Sequence, residues 1–452
     1  MPQTAIPITA WLFSAIAVTT IIGAFTGGHV LPSLAALCIV LYLALEFRRI
    51  PRPQQISGLV LAGLGVAALA AAGDWRSGLL EGISRSRVFL VLFFAVTWMQ
   101  WPVSRSPALR ATRATIVSQP PGRRFAFLTG GVHLLGSVLN LAGLGLLTTI
   151  VEKPGTDPAL RKRLTLALMQ GFTSASCWSP FYIGTIVVLV ALPALTWQDL
   201  APWGAGMAVV LMFGSWGLAR FSANRAATRA EAPGAIPLEA SQGLRTIALL
   251  ASLIGIVMVL VEVLDVPIPV ILGIVAPPFA LIWYASHKSA VHPFRELALR
   301  VATALPGLRN ETLLFVAANI FGIGVGALIP AAATAEFVAS AIPFPDLRIV
   351  ALILVFVATS AAGLHAVIVV VSLSAVLPPS ALGLPDLIVG LTYMGCWGMS
   401  TMISPFSGTT LFMSRATGVP AHVIGWRWSP PLVGVSSVLI AATVIGLRHV
   451  LY

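Results

Sequence analysis

The chain has 452 residues, of which 58% are hydrophobic and 9% charged, with a mean hydropathy of +0.94. A water-soluble domain carries roughly 25% charged residues, so composition excludes one and makes lipid the solvent. The net charge of +12 would suggest a nucleic-acid partner in a soluble protein; here the arginines punctuate apolar runs as loop markers, and no nucleic acid is expected.

Backbone inside lipid must bond to itself, as helices or as a closed barrel. Apolar runs of about 20 residues favour helices over the shorter alternating strands of a barrel. Such runs occupy 8–27, 29–47, 57–73, 88–102 and 125–150. A Ser/Pro-interrupted stretch covers 163–195, and a full run follows at 203–221. Residues 222–243, rich in Ala, Pro, Gly and charge, read as a cytoplasmic linker between two halves, 1–221 and 244–452. The second half repeats the theme with runs at 244–264, 268–286, 311–333 and 348–377, an interrupted stretch at 385–426 and a final run at 428–450. Within it, 287–310 alternates apolar and basic residues and reads as a helix lying along the membrane surface. The N-terminus lacks a basic region and a small-residue cleavage site, so its first run is expected to be a retained helix. Cys38, Cys177 and Cys396 lie in apolar stretches without metal or disulfide spacing.

A cytoplasmic N-terminus in a bacterial inner membrane places 48–56, 103–124, 220–245 and 287–310 inside, if each interrupted stretch enters and leaves on one side. These loops hold 16 of the 27 Lys and Arg. Arg415 and Arg427 fall inside as well. The same scheme puts Arg161, Lys162 and Arg163 outside.

A period of about 225 residues relates the halves. FTSASCWSPFYIGT in the first matches WGMSTMISPFSGTT in the second, so that Ser179-Pro180-Phe181 falls on Ser404-Pro405-Phe406 and Thr185 on Thr410. Gly131-Val132-His133 and Gly363-Leu364-His365 precede these motifs and are expected on helices, with His133 and His365 in matching places of the repeat. Under the topology above the repeat is inverted, an arrangement common to secondary transporters. Proline removes a donor and clashes one turn back, so Pro180 and Pro405 break their helices at membrane depth. Broken backbone there must be buried in protein or line a wet cavity. Residues 163–178 would span roughly 24 Å against a hydrocarbon core of roughly 30 Å, which suggests a re-entrant hairpin, with a broken transmembrane helix as the alternative. Hydroxyls, exposed carbonyls and helix N-termini at such a break can hold a cation and an anion side by side. The residues expected to do so are Ser176, Ser179, Pro180 and Thr185 with Thr401, Ser404, Pro405, Ser407, Thr409 and Thr410.

Paired hairpins with Ser/Thr-bearing tips in two inverted halves resemble the ion transporter superfamily. Its members include the divalent anion–sodium symporters and the large membrane subunits of tripartite periplasmic transporters. The symporters carry Ser-Asn-Thr at their tips; only the serine carries over, onto Ser179 and Ser404. The resemblance implies an all-α polytopic protein of about eleven transmembrane helices plus two re-entrant hairpins. It also implies an elevator mechanism and a homodimer, and, for the tripartite systems, a periplasmic binding protein or small membrane subunit as partner.

Ionisable groups inside a membrane are functional candidates. His133 and His365 can bind an anion, move a proton or tie helices together. Asn140 and Asn319 could add amide ligands. Glu311 fits a dipole-stabilising position in a first helical turn, and Gly322, Gly324 and Gly326 fit close helix packing. No Walker motif or HExxH occurs, and the chain is expected not to be an enzyme and to need no cofactor beyond Na⁺ as a coupling ion. The expectation is a secondary active transporter that couples a small organic anion, such as a di- or tricarboxylate, to Na⁺ or H⁺. The alternatives are a cation/proton antiporter and a membrane enzyme or subunit of a larger assembly.

Overall fold

The computed structural model describes residues 6–152, 157–221, 240–286 and 292–452. Most of the linker at 222–243 and the first residues of the segment 287–310 lie outside them. The described chain is helical. It opens with α1 (Ile8–Thr26), α2 (Val30–Glu46), α3 (Arg52–Ala71) and α4 (Trp75–Arg105). Then come α5 (Pro107–Val117), α6 (Pro121–Leu139), α7 (Leu141–Leu147), α8 (Pro158–Ser174), α9 (Ile183–Ala191) and α10 (Trp197–Phe221). The second half begins with α11 (Ala240–Leu264), α12 (Ile268–Ala285), α13 (Pro293–Ala304) and α14 (Arg309–Leu328). It continues through α15 (Ala331–Ala341), α16 (Pro345–Ala361), α17 (Ala366–Val376), the short α18 (Pro379–Leu382), α19 (Asp386–Ile403), α20 (Gly408–Thr417), α21 (Ala421–Val423) and α22 (Pro430–Leu451). Proline opens many of these helices, where its missing N–H costs nothing.

Among the described residues, nine helical segments are long and apolar enough to cross a membrane, or ten if the bent pair α15–α16 is one span. The chain is an all-α polytopic membrane protein. The expected count of about eleven included α4, which runs 31 residues but carries Arg76, Glu81, Arg85 and Arg87 in its first turns.

The chain forms two compact units, and each takes a piece from both halves. Unit 1 is 1–106 with 249–330; unit 2 is 107–248 with 331–452. Unit 1 packs α14 against α3 and α4 with almost no space between backbones. A Cβ on Gly65 would lie 2.7 Å from the Ile320 carbonyl, and one on Gly324 2.3 Å from the Gly65 carbonyl oxygen. Gly324 thus fills the packing role expected of it. Unit 1 also buries Glu46 completely, held by Arg49 at 2.9 Å and Arg309 at 3.3 Å. Glu311 does sit in the first turn of α14, but its Oε2 is buried without a hydrogen-bond partner.

Unit 2 repeats itself. Adding 225 to the bounds of α9 or α7 gives the starts of α20 and α17. The two copies meet where α8 and α19 cross: a Cβ on Gly398 would lie 2.7 Å from the carbonyl oxygen of Thr173, the residue 225 positions earlier. Contact between equivalent residues is what a two-fold relation between the copies would give.

The interrupted stretches at 163–195 and 385–426 are not the hairpins. Along α19, Gly398 lies by Thr173, Met394 accepts a hydrogen bond from Ser176, and Gly390 lies by Leu192 and Leu195. The chain from α8 into α9 therefore keeps advancing in one direction. Asp386–Thr417 likewise runs as one apolar segment of 32 residues. Both Ser-Pro-Phe motifs interrupt helices that then go on. The reversals come earlier. A Cβ on Gly143 of α7 would lie 2.5 Å from the Leu135 carbonyl of α6, so α7 has folded back on α6. α17 packs against α16 in the same way. Proline breaks a helix but need not reverse it. Reversal here uses a positive φ, 54° at Asn140 and 104° at Gly363. Gly131-Val132-His133 lies within α6 as expected, but Gly363-Leu364-His365 is the second turn itself and not a helix.

This rearrangement moves the basic cluster. α8 runs alongside α6 in the same direction, with Arg163 over the Phe125 ring at 5.9 Å and the Thr129 hydroxyl donating to the Ala167 carbonyl at 3.3 Å. Arg161, Lys162 and Arg163 therefore sit at the same end of unit 2 as Arg123 and Arg124, not at the opposite one.

Candidate functional site

The two breaks share one hydrogen-bond skeleton at the 225-residue offset. Ser179 N and Ser404 N donate to the carbonyls four residues back, Ala175 and Ser400. Ser179 Oγ accepts from Phe181 N at 3.2 Å, as Ser404 Oγ does from Phe406 N at 3.4 Å. Ser176 Oγ donates to Thr173 O at 2.7 Å, and Thr401 Oγ1 to Gly398 O at 2.9 Å. Thr185 Oγ1 donates to Ser176 O at 3.3 Å, and Thr410 Oγ1 to Thr401 O at 3.0 Å. Nine residues of continuous helix would separate the last two partners by roughly 13 Å. The loop holding Pro180 or Pro405 thus bulges sideways, and the next helix restarts beside the end of the last. Carbonyls freed by proline find hydroxyls, which is what a break inside lipid requires.

These hydroxyls are buried. Ser176, Ser179, Thr185 and Thr410 have no exposed surface, and Ser404, Ser407 and Thr409 are buried too. Ser407 caps α20 by accepting from Thr410 N at 3.1 Å. The expected site residues of the two motifs therefore converge, but most of their hydroxyl protons hold the breaks in shape. Tyr182, which sequence reasoning passed over, is buried beside the first break with its ring against Phe172 at 5.4 Å. Its place directly after Ser-Pro-Phe was the available signal.

Each break also lies against the hairpin turn of its own repeat. Ser179 Oγ donates to Ser137 O, three residues before Asn140. The Phe406 ring lies 2.9 Å from where a Cβ on Gly363 would stand. At the turns, the offset of 225 pairs Asn140 with His365. Both cap the returning helix with a side-chain acceptor: Asn140 Oδ1 takes Leu141 N at 3.0 Å, and His365 Nδ1 takes Val367 N at 3.3 Å. Capping by those atoms leaves the Asn140 amide N–H₂ and the His365 Nε2–H as donors. His365 stands edge-on to Trp397 at 6.3 Å, and Trp397 in turn covers Gly184 at the start of α9.

His133 is not the counterpart of His365; the two differ by 232 positions, and the extra seven residues carry His133 back into α6. Its Nε2 accepts the Trp178 indole N–H at 3.1 Å, which leaves Nδ1 protonated to donate to Ser174 Oγ at 2.9 Å. Trp178 O accepts the Trp197 indole N–H at 2.6 Å. His133 therefore braces the first break from α6. Asn319 belongs to unit 1, where its amide donates to Phe315 O at 2.8 Å and Ser86 Oγ at 3.3 Å. Among the described residues no group of three or more His, Cys, Asp and Glu could hold a metal; a cation at the breaks would bind carbonyl and hydroxyl oxygens.

No protein-family model and no curated protein sequence matches the chain. A solved structure does: the crystal structure of the Alcanivorax borkumensis YdaH transporter, described as having an unusual topology. It superposes with a TM-score of 0.62 at 15% identity, over 88% of this chain and 99% of that one. The likeness is one of fold.

Proposed function

We propose that the protein is a secondary active transporter that couples a small organic anion to Na⁺ or H⁺ and carries it by an elevator movement of unit 2. The observation that supports this most is the gathering in unit 2 of two hairpin turns and two helix breaks, paired at an offset of 225 residues. Broken backbone is retained at membrane depth where it serves a passing solute. The donors left at Asn140 and His365, and the starts of α9 and α20, favour a carboxylate, while the helix-end carbonyls favour a small cation. That the solved structure of similar fold is named a transporter supports the class.

Unit 1, with its backbone-to-backbone helix packing, suits a scaffold and a homodimer contact, with the repeats inverted, the N-terminus on the cytoplasmic side and the site working without a cofactor other than the ion. The test is uptake of labelled dicarboxylates into proteoliposomes with and without a Na⁺ or pH gradient. Gradient-dependent uptake that disappears in Asn140→Ala and His365→Ala, with the folded yield unchanged, supports the proposal. Absence of gradient-driven uptake of any carboxylate tried, with or without an added periplasmic binding protein or small membrane subunit, refutes it.

A further inference from the structure

A groove of about 400 Å³ runs between α6 and α10 in unit 2, lined by Arg123, Phe127, Gly130, Met212, Phe213 and Trp216. Its floor is open because Gly130 has no side chain; a Cβ there would meet nothing within 4 Å. Its two ends differ in chemistry. His133 of α6 and Gly204 of α10 both stand at the first break, where a Cβ on Gly204 would fall against Cys177 O. Arg123 and Trp216 lie ten and twelve residues away along their helices, roughly 15 to 18 Å. The start of α6 and the end of α10 therefore share one end of the unit. Arg220, one turn past Trp216, stacks on that ring at 5.5 Å. The groove is apolar along its length and basic at its mouth.

The second repeat supplies the comparison. Its equivalent corner joins the start of α16 to the end of α22, and an ion cluster closes it: Asp346 accepts from Arg448 at 2.8 Å and pairs with His449 at 3.0 Å. Arg348, the equivalent of Arg123, is spent on the carbonyls of Ile342, Leu382 and Pro343. In the first repeat, position 346 becomes Pro121, so the acid is gone. Arg124 takes over the structural task by donating to Gln119 O at 2.9 Å. Among the described residues Arg123 and Arg220 have no carboxylate partner, and Gly130 stands where the second repeat has Val355.

We propose that this groove holds one anionic phospholipid, its phosphate between Arg123 and Arg220 and an acyl chain along Phe127, Gly130 and Phe213. The lipid replaces the acid that closes the corner in the other repeat. Basic pockets between membrane helices bind anionic headgroups in this manner, and an apolar trough beneath selects a lipid over a soluble anion.

The test uses detergent-purified protein equilibrated with phosphatidylglycerol, phosphatidylcholine or inorganic phosphate. Retained lipid is counted by mass spectrometry after gel filtration, and the melting temperature is read for all three. Phosphatidylglycerol is expected to be retained and to raise the melting temperature, with phosphatidylcholine and phosphate doing neither. Arg123→Gln and Arg220→Gln should each cut retention roughly fivefold. Gly130→Leu, whose Cβ meets nothing within 4 Å and whose side chain enters the groove, should fold normally and expel the lipid. Equal retention of both lipids, stabilisation by phosphate alone, or retention unchanged in all three variants overturns the proposal.

Discussion

Unit 1 and unit 2 both bury polar atoms in a lipid-dissolved chain, and both hold backbones together at glycines and pair charges, but unit 2 adds broken helices whose carbonyls need covering. Unit 1 keeps its helices close and pairs charge with charge, as at Gly65–Gly324 and Glu46–Arg309. Unit 2 interrupts its helices at Asn140, Pro180, Gly363 and Pro405 and covers the freed carbonyls with hydroxyls. The first kind of packing has one arrangement, because a backbone at van der Waals contact has nowhere to move. The second leaves donors and acceptors within reach of something other than protein. The difference teaches where a solute can bind.

The largest effect should come from filling a backbone-to-backbone contact. Gly324→Val puts two methyl groups into the Gly65 backbone, which cannot yield, and should abolish monodisperse protein in gel filtration; Gly63→Ala, which meets nothing within 4 Å, should not. Next is Glu46→Ala. It strands Arg309 without its buried counter-charge and should cost about 3 kcal/mol, read as a fall in melting temperature. His133→Ala removes the brace on Trp178 and should cost about 2 kcal/mol; a pH profile of transport unchanged in shape would mark it as structural. The smallest are Thr185→Val and Thr410→Val, each losing the hydroxyl that covers the carbonyl nine residues back and about 1 kcal/mol. Equal losses from these two would sharpen the repeat, since the residues are equivalent; sharply unequal losses would break it.

Much of this was legible in the sequence. The 225-residue period, the two Ser-Pro-Phe breaks and the equivalence of Thr185 with Thr410 are written in the residues, because proline and hydroxyls have few other uses inside lipid. The hairpins were misplaced for a physical reason. Proline announces a break loudly, whereas a reversal needs only one residue with positive φ, and Asn140 in GSVLNLAGL gives little sign of it. The strict period held the clue: at 225 it pairs Asn140 with His365, while the Gly-x-His likeness pulled His133 into that place at 232. Placing the reversal at Asn140 also brings Arg161, Lys162 and Arg163 to the basic end of unit 2. The buried Glu46 left no sequence trace, because its partner Arg309 comes from 263 residues away.

The central claim is that the turns and breaks of unit 2 form the solute site. Gradient-driven uptake of a labelled dicarboxylate in proteoliposomes tests it most directly, comparing wild type with Asn140→Ala, His365→Ala and the unit 1 control Gly63→Ala. The account predicts that uptake collapses in the first two and survives in the third, with all three proteins folded. Uptake that persists at the wild-type level in both Asn140→Ala and His365→Ala would contradict it.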